Sequence, residues 1–563
     1  MQNECATGTL QGIGSRDHSV TSEYRIFGPP GCGKTTNLTR QIRRAVERFG
    51  PDSVLVTSFS RAAAAELAGR DLPISPDRIG TLHSHCYRAL GAPTIAESNV
   101  DEWNRQYPQL QITPSRRQNR LDGEDAGEED GRTKGGDLWL QELSRFRGLM
   151  IPPEAWSASL RDFAHRWKAY KDALGLLDFT DLIETCYRDV AMAPKGPAVI
   201  FADEAQDLNR MQLTLIRKWG RHCDYFIVCG DEDQTIYSFA GATPDAMLDP
   251  EIPDDHKIVL KQSYRVPRAV HAIADRLIRQ VTRRQEKVYL PRPAEGACLR
   301  GPLNASYGKP DYWILKTAVE HIEKGQTVMF LATCAYMLEP VVAVLRKNAI
   351  PIHNPYRRSN GFWNPIRLGR KGSTANRILA LLSAHPDFGE DRRDWSMGDL
   401  ALWAEWLQSK GILKHGSKKK LQAADIGKPA TLEALDEVFE AGALESLLGA
   451  FEGDYRMLLD WWRRRVTADV QKRIQYPVEI ASARGPRALL ETPKAIVGTI
   501  HSVKGGEADV VFLFPDLSDS GMTAYRRHGP PRDAVTRTFY VGITRARETL
   551  YICGPDSPSA AAL

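Results

Sequence analysis

The segment Gly28-Pro29-Pro30-Gly31-Cys32-Gly33-Lys34-Thr35 constrains this chain more than any other. It has the spacing Gly-x4-Gly-Lys-Thr, follows a short strand-like segment at residues 24–27 and precedes a helix-compatible stretch. A loop of this kind works in a strand–loop–helix setting. Its glycines let backbone N–H groups curl around phosphate oxygens, and the helix N-terminus adds a favourable dipole. Lys34 is then placed to neutralise the outer phosphates, and the Thr35 hydroxyl to complete a Mg²⁺ shell. By itself the loop specifies nucleoside triphosphate chemistry and no particular reaction.

Apolar, β-branched runs recur at residues 53–58, 198–202, 225–229, 327–331, 495–499 and 510–514, with helical patterns such as the Ala-rich 61–68 between them. Such alternation predicts parallel sheets covered by helices. Residues 95–180 are richer in Trp, Arg and Glu and read as mostly helical, broken by an acidic, glycine-rich loop at 123–136. A second helical, Trp-rich region follows residue 354. The predicted fold class is therefore α/β: two parallel-sheet blocks of the P-loop kind, each with a mainly helical insertion. The boundaries read as 23–94 with 185–262 for the first block, 263–353 with 490–563 for the second, insertions at 95–184 and 354–489, and a polar tail at 1–22.

The net charge of +5 permits a polyanionic partner without requiring one. Nine cysteines are dispersed, with no C-x-x-C pair. That argues against zinc ribbons and iron–sulfur clusters and for reduced thiols in the cytoplasm. The apolar runs are too short to span a bilayer, so no membrane partner is expected.

Asp203-Glu204-Ala205-Gln206-Asp207 follows the run at 198–202. Carboxylates at a strand end can hold a metal and polarise water. Asp203 is the natural Mg²⁺ partner with Thr35, and Glu204 the natural base for an attacking water.

Asp203–Asp207 also resembles motif II of the UvrD/Rep/PcrA branch of superfamily 1 helicases. Other segments follow in that family's order. Thr57-Ser-Phe-Ser-Arg-Ala-Ala-Ala-Ala-Glu66-Leu67 resembles motif Ia, and Gly80-Thr81-Leu82-His83-Ser84 the short motif after it. Leu177-Asp-Phe-Thr-Asp-Leu182 resembles the LDFxDLL segment, and Gly230-Asp-Glu-Asp-Gln-Thr-Ile-Tyr-Ser-Phe239 resembles motif III. Gln262-Ser-Tyr-Arg265, Gly498-Thr-Ile-His-Ser-Val-Lys-Gly-Gly-Glu507 and Phe539-Tyr-Val-Gly-Ile-Thr-Arg-Ala546 resemble motifs IV, V and VI.

The resemblance implies two RecA-like domains, ATP and Mg²⁺ as cofactors, and single-stranded DNA or its junction with duplex as partner. It implies a 3′-to-5′ translocase and helicase driven by closure of the two domains. Residue by residue, Gln234 is similar to the γ-phosphate sensor, and Arg265 and Arg545 to the arginines that stabilise the transferring phosphoryl group. Tyr264 matches the adenine-stacking tyrosine and Glu507 the ribose contact. Gly28 to Thr35, with Thr36 after it, form the nucleotide cradle. Phe59, Tyr237 and Phe239 match aromatic pockets through which bases step, and Thr81, His83, Thr499 and His501 match strand contacts. Both arginines come from the second block, so they are expected to reach ATP only when the blocks close.

The chain departs from the family pattern in places. Gln11 lies at about the spacing of the adenine-reading glutamine but outside its usual context. Thr36 and Ala240 stand where the family often has arginine, and Ala332 follows a strand where arginine is common. Residues 418–420 and 461–465 form a basic, aromatic stretch that can be read as core tryptophans with a solvated face or as a duplex grip. With few residues following motif VI, a nuclease or partner-binding tail is not expected after it. A second reading is a DNA-stimulated ATPase motor or sensor within a larger nuclease or defence complex, without unwinding of its own. A third, a small-molecule kinase, leaves Gln234, Arg265 and Arg545 unexplained. Protein partners in repair, replication or phage defence fit either of the first two.

Overall fold

The computed structural model describes residues 23–115, 134–310, 312–357, 361–366 and 372–563. The polar tail at 1–22, including Gln11, and most of the acidic loop lie outside the described residues. Gly135 and Gly136, expected in that loop, instead begin the helix Gly135–Gly148. Close packing there calls for glycine: a Cβ at Gly136 would lie 2.1 Å from the Leu110 carbonyl oxygen.

The chain divides into two compact units, Met1–Cys298 with Leu517–Leu550 and Ala561–Leu563, and Leu299–Asp516 with Tyr551–Ala560. The architecture is mixed α/β with parallel sheets, of the two-domain RecA-like kind.

In the first unit, β1 (Glu23–Phe27), β2 (Val54–Ser58), β3 (Ile79–Thr81), β4 (Val199–Asp203), β5 (Tyr225–Gly230) and β6 (Lys257–Val259) form a parallel sheet of order β3-β2-β4-β5-β1-β6. Successive side chains on a strand point to opposite faces. Ile26, Val56, Phe201 and Ile227 therefore pack with Leu38 and Ile42 on one side. Phe27, Leu55, Ile200 and Phe226 pack with Leu82, Leu182 and Ile216 on the other. Burial on both faces explains the near-continuous apolar runs. Register sets Phe27 opposite Gly230 and Ser58 opposite Asp203. Four functional loops thus leave from one edge, the carboxyl ends of β1, β2, β4 and β5. Beyond β6, β7 (Gln262–Pro267) pairs in parallel with β8 (Leu290–Arg292).

The helical insertion of this unit has its own core of Trp103, Leu140, Phe163, Trp167 and Tyr170. Asp178, from the Leu-Asp-Phe segment, joins it to the helix Phe179–Asp189. Its Oδ1 caps that helix by accepting from Asp181 N at 2.7 Å, and its Oδ2 lies 3.0 Å from Arg147 and 2.5 Å from Lys171. Burial opposes ionisation of Asp178, but Arg147 and Lys171 outweigh it and hold the carboxyl below its ordinary range.

A second six-stranded sheet has the order β11 (Ile352–His353), β12 (Ala495–Thr499), β10 (Val328–Ala332), β13 (Ala508–Leu513), β14 (Ala546–Ile552), β9 (Ala297–Arg300), its first four strands in the second unit. Strands β9 and β14 carry the chain between the units. The helical insertion shares one core with this sheet, running from Val328 and Phe512 to Trp403 and Trp462. Trp461 and Trp462 are core residues: their indole N–H groups donate to Ser446 Oγ at 2.6 Å and Trp403 O at 3.0 Å. Lys418 donates to the carbonyls of Glu405 and Leu407, and Lys420 pairs with Glu437. Among the described residues no helix is long and apolar enough to cross a membrane.

Candidate functional site

Gly31 and Gly33 of the phosphate loop adopt left-handed backbone, φ 72° and 74°, and Gly33 caps the helix Lys34–Phe49. Gly28 N donates to Gly230 O at 3.0 Å, which ties the loop to β5. Lys34 Nζ donates to Gly28 O at 2.7 Å, so the ammonium lies within the loop. A Cβ at Gly28 would lie 2.1 Å from Lys34 Cγ. Cys32 is buried, and burial pushes its thiol up to about 12, so it is inert as a nucleophile. Thr35 is half-buried and Thr36 exposed at the start of the helix.

Strand β7 lies directly over this loop. Tyr264 N donates to Gly31 O at 2.9 Å, while the Ser263 and Tyr289 hydroxyls donate to Pro30 O at 2.9 and 3.0 Å. A Cβ at Gly31 would meet Arg265 Cβ at 2.5 Å. Pro29, Pro30, Tyr264 and Arg265 therefore belong to one packed assembly in the first unit. Tyr264 is 69% exposed, which leaves its ring available for stacking.

Asp203 ends β4 and is buried. Glu204 follows at φ 51°, ψ 38°, a left-handed conformation that turns its side chain out of the strand. Gln206 Nε2 donates to Glu204 Oε2 at 2.5 Å, and Gln206 Oε1 accepts from Asp231 N at 3.0 Å. A Cβ at Gly230 would lie 2.3 Å from Gln206 Oε1, so a larger residue there would displace the Gln206 side chain.

After β5, Gln234 Nε2 donates to Asp231 Oδ2 at 2.8 Å, and Arg545 Nη2 donates to Gln234 Oε1 at 3.2 Å. Arg545 is 1% exposed and its Nε also donates to Val541 O at 2.8 Å. The sequence placed Arg265 and Arg545 in the second block, out of reach until closure. Here both lie in the same compact unit as the phosphate loop. The cause is local: β7 hydrogen-bonds to the loop, and Arg545 to Gln234.

Asp231, Glu232 and Asp233 bring their carboxylate oxygens together in a group that could hold a metal. An ammonium fills that role instead. Lys287 Nζ lies 2.6, 2.7 and 3.1 Å from the three carboxylates, and Arg284 pairs with Asp233 at 2.7 Å. Sequence reasoning missed both cations because residues 282–287 are polar and resemble a surface turn.

On the aromatic side, the Phe59 and Tyr237 rings lie 5.4 Å apart at 31°, and Tyr237 and Phe239 lie 5.8 Å apart at 68°. Tyr237 is buried; Phe59 and Phe239 are half-buried, and Phe59 packs on the sheet core. Thr81 is buried and caps the helix Leu82–Ala89 by accepting from Ser84 N at 3.2 Å. His83 lies edge-on to Phe179 at 6.5 Å. Thr499, His501 and Glu507 lie in the second unit. Thr499 Oγ1 accepts from Ser502 N at 3.2 Å, and Glu507 N donates to the Tyr356 hydroxyl at 3.3 Å.

Burial pushes the imidazoles of His83 and His85 down to about 4 from 6.5. His85 Nε2 donates to Val56 O at 3.1 Å and Nδ1 accepts from Arg88 at 3.0 Å, the pattern of a neutral ring. In the unfolded chain these rings protonate first, so the stability they support is intact above pH 6.5 and is lost as pH falls toward 4. A His85→Asn variant should show a shallower fall of Tm across that window. Tm–pH curves for variant and parent that run parallel would contradict this.

Residues 15–252 match the UvrD/REP helicase N-terminal domain, and residues 494–553 the UvrD-like helicase C-terminal domain. The ATP-dependent DNA helicase UvrD1 of Mycobacterium tuberculosis (strain ATCC 25618 / H37Rv) is 30% identical over 94% of this chain and 80% of its own length. The ATP-dependent DNA helicase UvrD2 of Mycobacterium tuberculosis (strain CDC 1551 / Oshkosh) is 24% identical over 93% of this chain and 75% of its own. The putative ATP-dependent DNA helicase YjcD of Bacillus subtilis (strain 168) is 25% identical over 46% of this chain and 37% of its own.

Proposed function

We propose a motor cycle for this chain, which belongs to the UvrD/Rep family of helicases. It is an ATP-hydrolysing DNA helicase. The proposal is that it moves 3′ to 5′ on single-stranded DNA and separates duplex at the junction. One observation supports the ATP-hydrolysing part of the cycle above the rest: a hydrogen-bond set runs from Glu204 through Gln206, Asp231 and Gln234 to Arg545, in the unit that holds the phosphate loop; the polarity rests on the family resemblance.

In this reading Gly28 to Thr36 cradle the phosphates, Tyr264 stacks on adenine and Glu507 contacts the ribose. Lys34 neutralises the β- and γ-phosphates. Thr35 and Asp203 hold Mg²⁺, whose charge, when bound, offsets that of the phosphate oxygens. Glu204 takes the proton of the attacking water, and Gln234 orients that water. Arg265 and Arg545 stabilise charge on the transferring group. Phe59, Tyr237 and Phe239 offer stacking surfaces that tolerate any base, as a processive motor requires. Thr81, His83, Thr499 and His501 contact the strand. By their sequence boundaries the motor domains are residues 23–94 with 185–262 and 263–353 with 490–563, and 95–184 and 354–489 are accessory domains; residues 263–298 and 517–550 of the second motor domain belong to the compact unit of the phosphate loop. Nucleotide-driven closure of the two motor domains advances the strand.

A second reading keeps the ATPase without autonomous unwinding, within a repair, replication or phage-defence assembly. It is favoured by Ala240, whose small side chain follows Phe239 where the family often places a coupling arginine. The test measures ATPase rate with single-stranded DNA, RNA and duplex, then unwinding of duplexes with 3′ or 5′ tails. Stimulation by single strands and unwinding of the 3′-tailed duplex are expected. Stimulation without unwinding would select the second reading.

A further inference from the structure

We propose that Lys287 is a positioning residue for ATP hydrolysis, acting through Asp231 on Gln234. The inference rests on the role assigned to Gln234 above. Lys287 lies outside every motif, yet its side chain is 1% exposed and its ammonium meets Asp231 Oδ1 at 2.6 Å and Glu232 at 2.7 Å. The other oxygen of Asp231, Oδ2, accepts from the Gln234 amide nitrogen, and the Gln234 amide oxygen accepts from Arg545. This order is directional. A flipped Gln234 amide would set oxygen against carboxylate and nitrogen against guanidinium. The lysine–carboxylate–amide–guanidinium chain therefore fixes which end of Gln234 faces which partner.

Asp231 is also a junction. Its backbone N–H donates to Gln206, which reaches Glu204. That link leaves the backbone of Asp231 and not the carboxylate that Lys287 holds, so the path from Lys287 runs through Gln234. Three buried carboxylates require compensation. Lys287 and Arg284 supply two positive charges, and burial raises Glu232 to about 7, so the cluster approaches neutrality when Glu232 is protonated. Without the ammonium, the Asp231 carboxylate would favour a proton, and its Oδ2 would no longer be a fixed acceptor for Gln234.

The test is a double-mutant cycle on the full chain with single-stranded DNA present. Lys287→Met should lower kcat by about 10²-fold with KM for ATP little changed, as expected when a reacting group is misplaced. In a Gln234→Ala background the same substitution should cost no more than about twofold further, because the path is already cut. Losses that multiply, or a folded Lys287→Met protein with parental kcat, would overturn the inference. If Lys287→Met shows no cooperative melt, Lys287→Met with Asp233→Asn removes one charge of each sign. That variant should show the same loss in kcat, and parental turnover by it would also overturn the inference. Full turnover by Gln234→Ala alone would instead overturn the reading of Gln234, and this inference with it.

Discussion

Replacing Glu204 by glutamine is expected to lower kcat for ATP hydrolysis by about 10²–10⁴-fold, the range for a general base in a proton-transfer step. The substitution keeps size and shape and removes only the ability to take a proton. Gln206 Nε2 donates to Glu204 Oε2, and a glutamine at 204 can present an amide oxygen to the same donor. ATP and DNA affinity should stay within about threefold, since uniform binding is untouched. Nucleotide binding and single-turnover hydrolysis, measured side by side, give the check. Parental turnover by Glu204→Gln would refute the base assignment, and loss of ATP binding would show that Glu204 holds the substrate instead.

Arg545→Ala should lower kcat further, by about 10³–10⁵-fold if Arg545 acts as an arginine finger. Arg545 is 1% exposed and donates to Val541 O through Nε and to Gln234 Oε1 and Thr544 Oγ1 through Nη2. Lysine carries the charge but not the fork, so Arg545→Lys should recover little of the loss. Packing damage is a competing cause, because a buried side chain is being removed. It is separated by measuring Tm and ATP affinity alongside kcat: a finger lowers kcat at nearly constant affinity, whereas a packing defect lowers Tm with kcat roughly preserved in the folded fraction. A fall in Tm with kcat preserved would remove Arg545 from the chemistry.

The legibility of the fold varied with the physics of each segment. Runs buried on both faces stood out, and the strand expected at residues 495–499 is β12. The one expected at 225–229 extends a single residue further, to Gly230, because a glycine there still pairs with Phe27. In the acidic loop, Gly135 and Gly136 suggest a turn by composition, but they form the first turn of a helix, packed so close to the Gln109 and Leu110 carbonyl oxygens that a Cβ would clash. Within the site, the phosphate loop and Glu204 were visible because their spacing is set by local backbone geometry. Lys287 was not, because its value lies in a long-range approach to Asp231 that no local pattern encodes. Trp461 and Trp462 were ambiguous for a related reason. Only tertiary contact with Ser446 and Trp403 shows that they hold the core. The placement of Arg265 beside Gly31 was equally hidden, since it depends on how β7 crosses the loop.

At φ 51° and ψ 38°, Glu204 occupies backbone space that glycine and asparagine enter more readily than glutamate does. The left-handed conformation costs a residue with a Cβ about 1–2 kcal/mol. Selection for heat resistance alone would therefore drive position 204 toward glycine, and that single step would also delete the carboxylate. Durability and turnover pull against each other at one residue, so a lineage of this enzyme adapting to high temperature must find its added stability elsewhere in the chain.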